Sequence, residues 1–161
     1  MRGQAAFQVR VQSADFDPAA ESQALCGAGC GAVVSFVGLV RDGSADFDVA
    51  QIELEHYPGM TERALGEIAA RAVQRWPGIR AGLVHRYGVL KAGERIVWVG
   101  VASEHRDAAF EACRFIIDQL KTQAPFWKRE SGAQGSRWVA ARDSDERARE
   151  RWEAPPSGRA A

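Results

Sequence analysis

The sequence predicts an α+β domain built around a mixed or largely antiparallel sheet. Strand-like runs of alternating apolar and polar residues recur along the chain. Two longer segments instead carry apolar residues at helical spacing. The order in which these strands and helices follow one another suits α+β packing. At 161 residues the chain is long enough for one such domain with a real core and short for two.

The elements can be justified in order. "AFQVRVQ" alternates and reads as a first strand. "DFDPAAESQALCGAG" has an acidic start, Pro18 near the first turn and a glycine stop, which predicts a short helix. "GAVVSFVGLV" is a β-branched apolar run, expected to be a strand buried on both faces. "RDGSADFD" is expected to be a mobile loop. "VAQIELEHY" alternates again before a Pro58-Gly59 turn. Between Met60 and Trp76 the residues Ala64, Ile68, Ala72 and Trp76 form a helical stripe. "GIRAGLVHRYGVL" and "RIVWVGVAS" each read as one strand, joined by a "KAGE" turn. The span from Ser103 to Leu120 is the clearest helix, with Phe110, Cys113, Ile117 and Leu120 on one face and Pro125 ending its pattern. "SRWVAA" is a candidate last strand. We expect the domain to cover residues 1–147, with residues 148–161 a flexible tail, charged and then rich in Pro and Gly.

Composition narrows the function classes. Lysine plus arginine and aspartate plus glutamate both total 21, so no broad positive field exists to capture nucleic acid. The five tryptophans are too scattered to make a base-stacking platform. No apolar run approaches the length of a membrane span, and the N-terminus lacks a signal-peptide core, so a cytoplasmic location is expected. The three cysteines suggest no disulfide framework. Cys26 and Cys30 lie four apart without histidine partners, so neither a metal site nor a cofactor is expected. His56 and His85 read as structural.

Three clusters could carry chemistry. Lys121 and Lys128 flank "TQAPFW", an apolar setting that suits lysine poorly. In one reading both ammoniums are carried outward over their apolar stems. Alternatively they enter one pocket, where charges about 6 Å apart would repel by roughly 3 kcal/mol at an effective dielectric near 20. Such a pair calls for a bound anion or a proton given up. His105 and Arg106 open the long helix, where unpaired backbone N–H groups favour an anion, with Ser103 as candidate cap; a surface turn with Arg106 paired to a local acid is the competing view. Arg41 leaves a buried strand next to Gly38, which would permit close approach of a ligand. A continuous helix from His105 to Lys121 would hold its ends about 24 Å apart. If both ends serve one small molecule, a second copy of the chain must supply one of them.

In the segments "GAVVSFVGLVRD", "LEHYPGMTE", "HRYGVLKAGE", "VGVASEHRDAAFEAC", "IDQLKTQAPFWKRE" and "RWVAARDSD", the chain resembles the molybdopterin synthase catalytic (large) subunit family. The ordered set covers roughly residues 30–145, although the loop "GSADFDVAQ" departs from the common pattern. The resemblance implies a hammerhead-like α+β fold and a sulfurtransferase of molybdenum cofactor biosynthesis. The substrate would be cyclic pyranopterin monophosphate. The sulfur donor would be the thiocarboxylated Gly-Gly tail of a small ubiquitin-like partner, with two large subunits at the centre of a heterotetramer. It further implies that Lys121 and Lys128 are catalytic, and that Leu39, Val40, Arg41, His105, Arg106, Arg129, Glu130 and Arg142 bind substrate alongside them. The competing class is a non-catalytic module that grips an anion or a protein tail.

Overall fold

The computed structural model describes residues 5–139 and 143–153. Its elements are β1 (Phe7–Gln12), α1 (Pro18–Leu25), β2 (Ala32–Leu39), β3 (Gly43–Ser44), β4 (Phe47–Asp48), β5 (Gln51–His56), α2 (Met60–Arg75), β6 (Arg80–Arg86), β7 (Gly88–Lys91), β8 (Arg95–Ser103), α3 (Arg106–Gln123), β9 (Phe126–Gly132), β10 (Gly135–Val139) and α4 (Asp143–Glu150). The expected α+β class is what folds. One sheet runs β1-β6-β8-β2, a second β10-β9-β5-β7, and β3 and β4 form a small hairpin. Among the described residues only β1 and β6 pair in parallel, and the other pairings are antiparallel.

The first sheet is covered on both faces. Leu83, Val97, Val99 and Val101 meet Leu65, Ile68 and Ala72 of α2 and Ala112, Phe115 and Ile116 of α3. On the other face Trp98 and Val84 pack with Phe16 and Leu25 beside α1. Burial of this apolar area is the main force holding the layers together. Trp98 lies across two glycines that face each other in the β6–β8 register, Gly82 and Gly100. A Cβ on Gly100 would come within 2.3 Å of the indole, so the glycines make the space that the ring fills.

Local signals explain the helix ends. The Asp17 carboxylate accepts the Ala19 N–H at 2.9 Å and Pro18 occupies the first turn of α1. At α2, Gly59 takes φ +83 and donates its N–H to Glu62 at 2.6 Å. Thr61 is fully buried; its hydroxyl accepts the Tyr57 N–H and donates to the Pro125 carbonyl, tying α2 to the entry of β9.

Several expectations are corrected. "GIRAGLVHRYGVL" is two strands: Gly88, at φ +93, breaks it, so that β6 joins the first sheet and β7 the second. β2 is an edge strand, largely half-buried in this chain. "RDGSADFD" contains the β3–β4 hairpin. The α2 stripe includes Leu65 and Ala69, while Trp76 is only half-buried. On α3 Phe110 points to solvent, 61% exposed, and Ala109, Ala112, Phe115, Ile116 and Gln119 join Cys113 on the buried face. The helix begins at Arg106 with His105 in the capping position, and Ser103 Oγ accepts the His105 N–H at 3.3 Å. β9 went unforeseen. The candidate last strand "SRWVAA" is found in β10 over residues 136–139, and its residues 140–141 lie outside the described residues.

The boundary expected at Arg147 falls inside α4. Beyond it Trp152 packs edge-on against Trp76 and Phe115, and its indole N–H reaches Asp118 at 2.8 Å. This much of the segment docks on the body.

Candidate functional site

A cleft of about 210 Å³ opens where the two sheets meet. Its floor is Ile96, which packs against both cores, with Ile52 and Val49. One wall is the end of β2. There the β2–β8 register shifts between Gly38 and Leu39, and Val40 is then clamped: its N–H donates to Glu94 at 2.9 Å and its carbonyl accepts the Gly93 N–H at 2.8 Å. That turn delivers Leu39, Val40 and Arg41 to the cleft. Gly38 itself makes room for a neighbour and not for a ligand, since a Cβ there would meet Val97 Cγ1 at 2.7 Å.

Lys121 enters from the last turn of α3, and Lys128 from β9. β9 pairs with β5, placing Lys128 opposite Leu54 and Glu130 opposite Ile52. Because side chains alternate along a strand, Lys128 and Glu130 share the inner face and Arg129 takes the outer one. Glu130 is largely enclosed, with 12% of its side chain exposed. It lies 3.8 Å from Lys128 Nζ and accepts Arg137 Nε at 3.0 Å. Four cations, Arg41, Lys121, Lys128 and Arg137, thus line the cleft around one carboxylate. The excess positive charge suits an anionic ligand.

Other expected site residues lie elsewhere in the chain. Arg129 pairs with Glu53, and its guanidinium carbon lies 5.7 Å from the Trp138 ring centroid, on the far side of its sheet. His105 and Arg106 sit at the opposite end of α3 from Lys121, more than four-fifths exposed, with His105 near Glu104 and Arg106 near Asp107. Arg142 falls outside the described residues. Arg137 is a cleft residue that the sequence reading missed. Once β9 and β10 are known to be a hairpin, the Arg137–Glu130 register assigns it to the same face.

Beside the cleft, His85 stacks on Phe126 with ring centroids 3.9 Å apart, and its Nδ1–H donates to the Arg86 carbonyl at 2.8 Å. Burial pushes its pKa down to about 4, opposed by the carbonyl and reinforced by the charge of Lys121. His85 is therefore neutral near pH 7. Arg86, almost enclosed, is structural: it donates to the carbonyls of Ser13 and Arg95, both at 3.0 Å. Cys26 and Cys30 bring their sulfurs to 3.6 Å. Among the described residues no three His, Cys, Asp or Glu side chains gather as metal ligands, and no helix is long and apolar enough to cross a membrane.

Fold and cleft together define an α+β protein in which four cations and one carboxylate line a cleft between two sheets. Comparison with known proteins gives the family. The MoaE protein family model matches residues 11–123. A molybdopterin synthase catalytic subunit of Pseudomonas aeruginosa is 58% identical over 147 residues, which span 90% of this chain and 98% of that relative. The solved structure of a molybdopterin biosynthesis MoaE protein from Burkholderia ambifaria is 50% identical, with a TM-score of 0.79 over 91% of this chain and 98% of that one. A chain from the complex of subunits 1 and 2 of the Helicobacter pylori molybdopterin-converting factor shares the fold at 19% identity, with a TM-score of 0.68 over 86% of this chain and 92% of its own. This chain belongs to the MoaE family, that of molybdopterin synthase catalytic subunits, and is an enzyme of molybdenum cofactor biosynthesis.

Proposed function

We propose that the cleft transfers sulfur from the thiocarboxylated C-terminus of a small ubiquitin-like partner to cyclic pyranopterin monophosphate, forming the dithiolene of molybdopterin. The observation that carries this reading is the convergence on one cleft of Lys121 from α3, Lys128 from β9 and Arg41 from the turn after β2. Both expected reactants are anions, and a cleft with this charge lowers the cost of bringing them together. The two-subunit Helicobacter pylori complex, of the same fold, supports a small partner.

Attack of the thiocarboxylate sulfur on a pterin side-chain carbon moves negative charge onto oxygen. Lys121 stabilises that charge and supplies a proton. Lys128 holds the carboxyl end of the partner and, after transfer, assists the hydrolysis that frees the tail. Arg41 grips the substrate phosphate. His105 and Arg106 cannot reach the cleft of their own chain along an 18-residue helix, so a second copy supplies them across a central dimer. Arg142 belongs to the same substrate-binding set. The reaction takes place in the reducing cytoplasm, where three free thiols persist.

The test is reconstitution with the thiocarboxylated partner and the cyclic pterin, followed by assay of dithiolene product. Lys121→Ala should lose turnover by at least a hundredfold while still binding the partner. Retained turnover in that variant would refute the role given to Lys121; no product with the unaltered chain would refute the whole reading and favour a passive anion- or tail-binding module.

A further inference from the structure

Arg137 has no part in the mechanism above, yet its setting is that of a prepared binding group. It projects from β10 into the cleft, on the face it shares with Lys128 and Glu130. Two contacts fix its position. Its Nε donates to Glu130 at 3.0 Å, and its guanidinium carbon lies 4.0 Å from the centroid of the Phe47 ring. Phe47 is itself held: it is buried in the second core, and the next residue, Asp48, donates its N–H to Gln134 Oε1 at 3.2 Å. The β3–β4 hairpin is thus tied to the β9–β10 hairpin, with Arg137 across the join.

Glu130 is one carboxylate between two cations, Lys128 and Arg137, and Arg41 and Lys121 line the same cleft. A guanidinium held against an aromatic ring and by a carboxylate has already lost part of its rotamer freedom, so less is lost when an oxyanion arrives. Its planar fork matches two oxygens of a phosphate, whereas the Lys128 ammonium acts as a point charge.

We infer that Arg137 binds the phosphate oxygens of the phosphorylated pterin, opposite Arg41, and so helps determine which substrate the cleft accepts. The inference rests on the reading of the cleft as the phosphorylated-pterin site. Glu130 is the partner that keeps Arg137 aimed while the cleft is empty, and Phe47 is the surface on which it is held.

The experiment compares the unaltered enzyme, Arg137→Ala and Arg137→Lys, each reconstituted with the thiocarboxylated partner. Arg137→Ala should raise KM for the cyclic pterin roughly thirtyfold, the scale of a lost charge-assisted hydrogen bond, with kcat within about threefold. Inhibition by inorganic phosphate should weaken in parallel. Arg137→Lys keeps the charge and the ion pair with Glu130 but loses the fork, so it should recover only part of the affinity. Unchanged KM and phosphate inhibition in Arg137→Ala would overturn the inference. So would a loss confined to affinity for the partner, which would assign Arg137 to the tail instead. An unaltered enzyme that makes no dithiolene removes the underlying reading, whereas an active enzyme indifferent to Arg137 removes this inference alone.

Discussion

Lys128 Nζ lies 3.8 Å from the Glu130 carboxylate, two residues along β9 and on the same face of the strand. The carboxylate therefore offsets part of the positive charge that Lys128 and Lys121 bring to the cleft. Replacing it with a neutral isostere should remove this contact and leave the cleft with one more unit of positive charge. Glu130→Gln is expected to bind inorganic phosphate more tightly but to turn over about tenfold more slowly, a barrier rise of ~1.4 kcal/mol. Steady-state kinetics with phosphate as inhibitor would check both directions.

The second prediction concerns the dimer. If His105 and Arg106 serve the cleft of a second copy, Lys121→Ala and Arg106→Ala should each be inactive alone and complement each other when mixed. A mixed dimer holds one site that lacks both groups and one that lacks neither. Co-expressed chains carrying separate tags, purified on both, should regain up to half the activity of the unaltered dimer. No recovery in the doubly tagged species would place the two residues in different functions.

His85 offers a pH readout close to Lys121. Part of the residue remains at the surface, but its ring lies against Phe126. Burial holds its folded pKa at about 4, below the ordinary 6.5, so the unfolded state binds the extra proton first. The stability linked to His85 is full above about pH 6.5 and is lost as pH falls toward 4. NMR titration of the imidazole should show no protonation until near pH 4, and Lys121→Ala should move the midpoint upward. A midpoint near 6.5 would contradict the burial argument.

Asp15 tests a structural ion pair. Arg95 grips its carboxylate with two hydrogen bonds, at 2.9 and 2.6 Å, and the Phe16 N–H adds a third at 2.8 Å. The Arg95 guanidinium is the main cause that holds the Asp15 pKa at about 2, below its ordinary 3.8. This stabilisation is present above pH 3.8 and is lost as pH falls through about 2. Half of the side chain is exposed, so solvent screening limits the effect. Asp15→Asn should cost about 1 kcal/mol or less at pH 7, and the difference from the unaltered chain should close by pH 2. Denaturation midpoints at the two pH values would show it.

What could be read in advance depended on the range of the signal. α3 was legible because an apolar stripe and a proline stop are local, although Phe110 was assigned to the wrong face: the direction of a helix's buried side is set by what packs on it. β9 was not legible. "FWKRESG" has no clean apolar alternation, since Lys128 and Glu130 occupy the inner positions of a strand where apolar side chains are usual. The same residues that hid the strand are the ones that make the cleft, as expected where function overrides pattern. The Gly88 break was missed for a related reason, because the apolar pattern continues across it while the backbone changes sheet.

By itself the sequence determined the α+β class, most helices and strands, the family, and the lysines around which the site is built, because these follow from residue type and short spacing. Only the tertiary structure decided which cations meet. The pairing of β9 with β5 and β10 puts Lys128, Glu130 and Arg137 in the cleft and turns Arg129 away, and the length of α3 separates His105 and Arg106 from Lys121. The physical reason is that a strand's neighbour exchanges its faces with a shift of one residue. That choice is made by packing between segments far apart in the chain, where no local pattern records it.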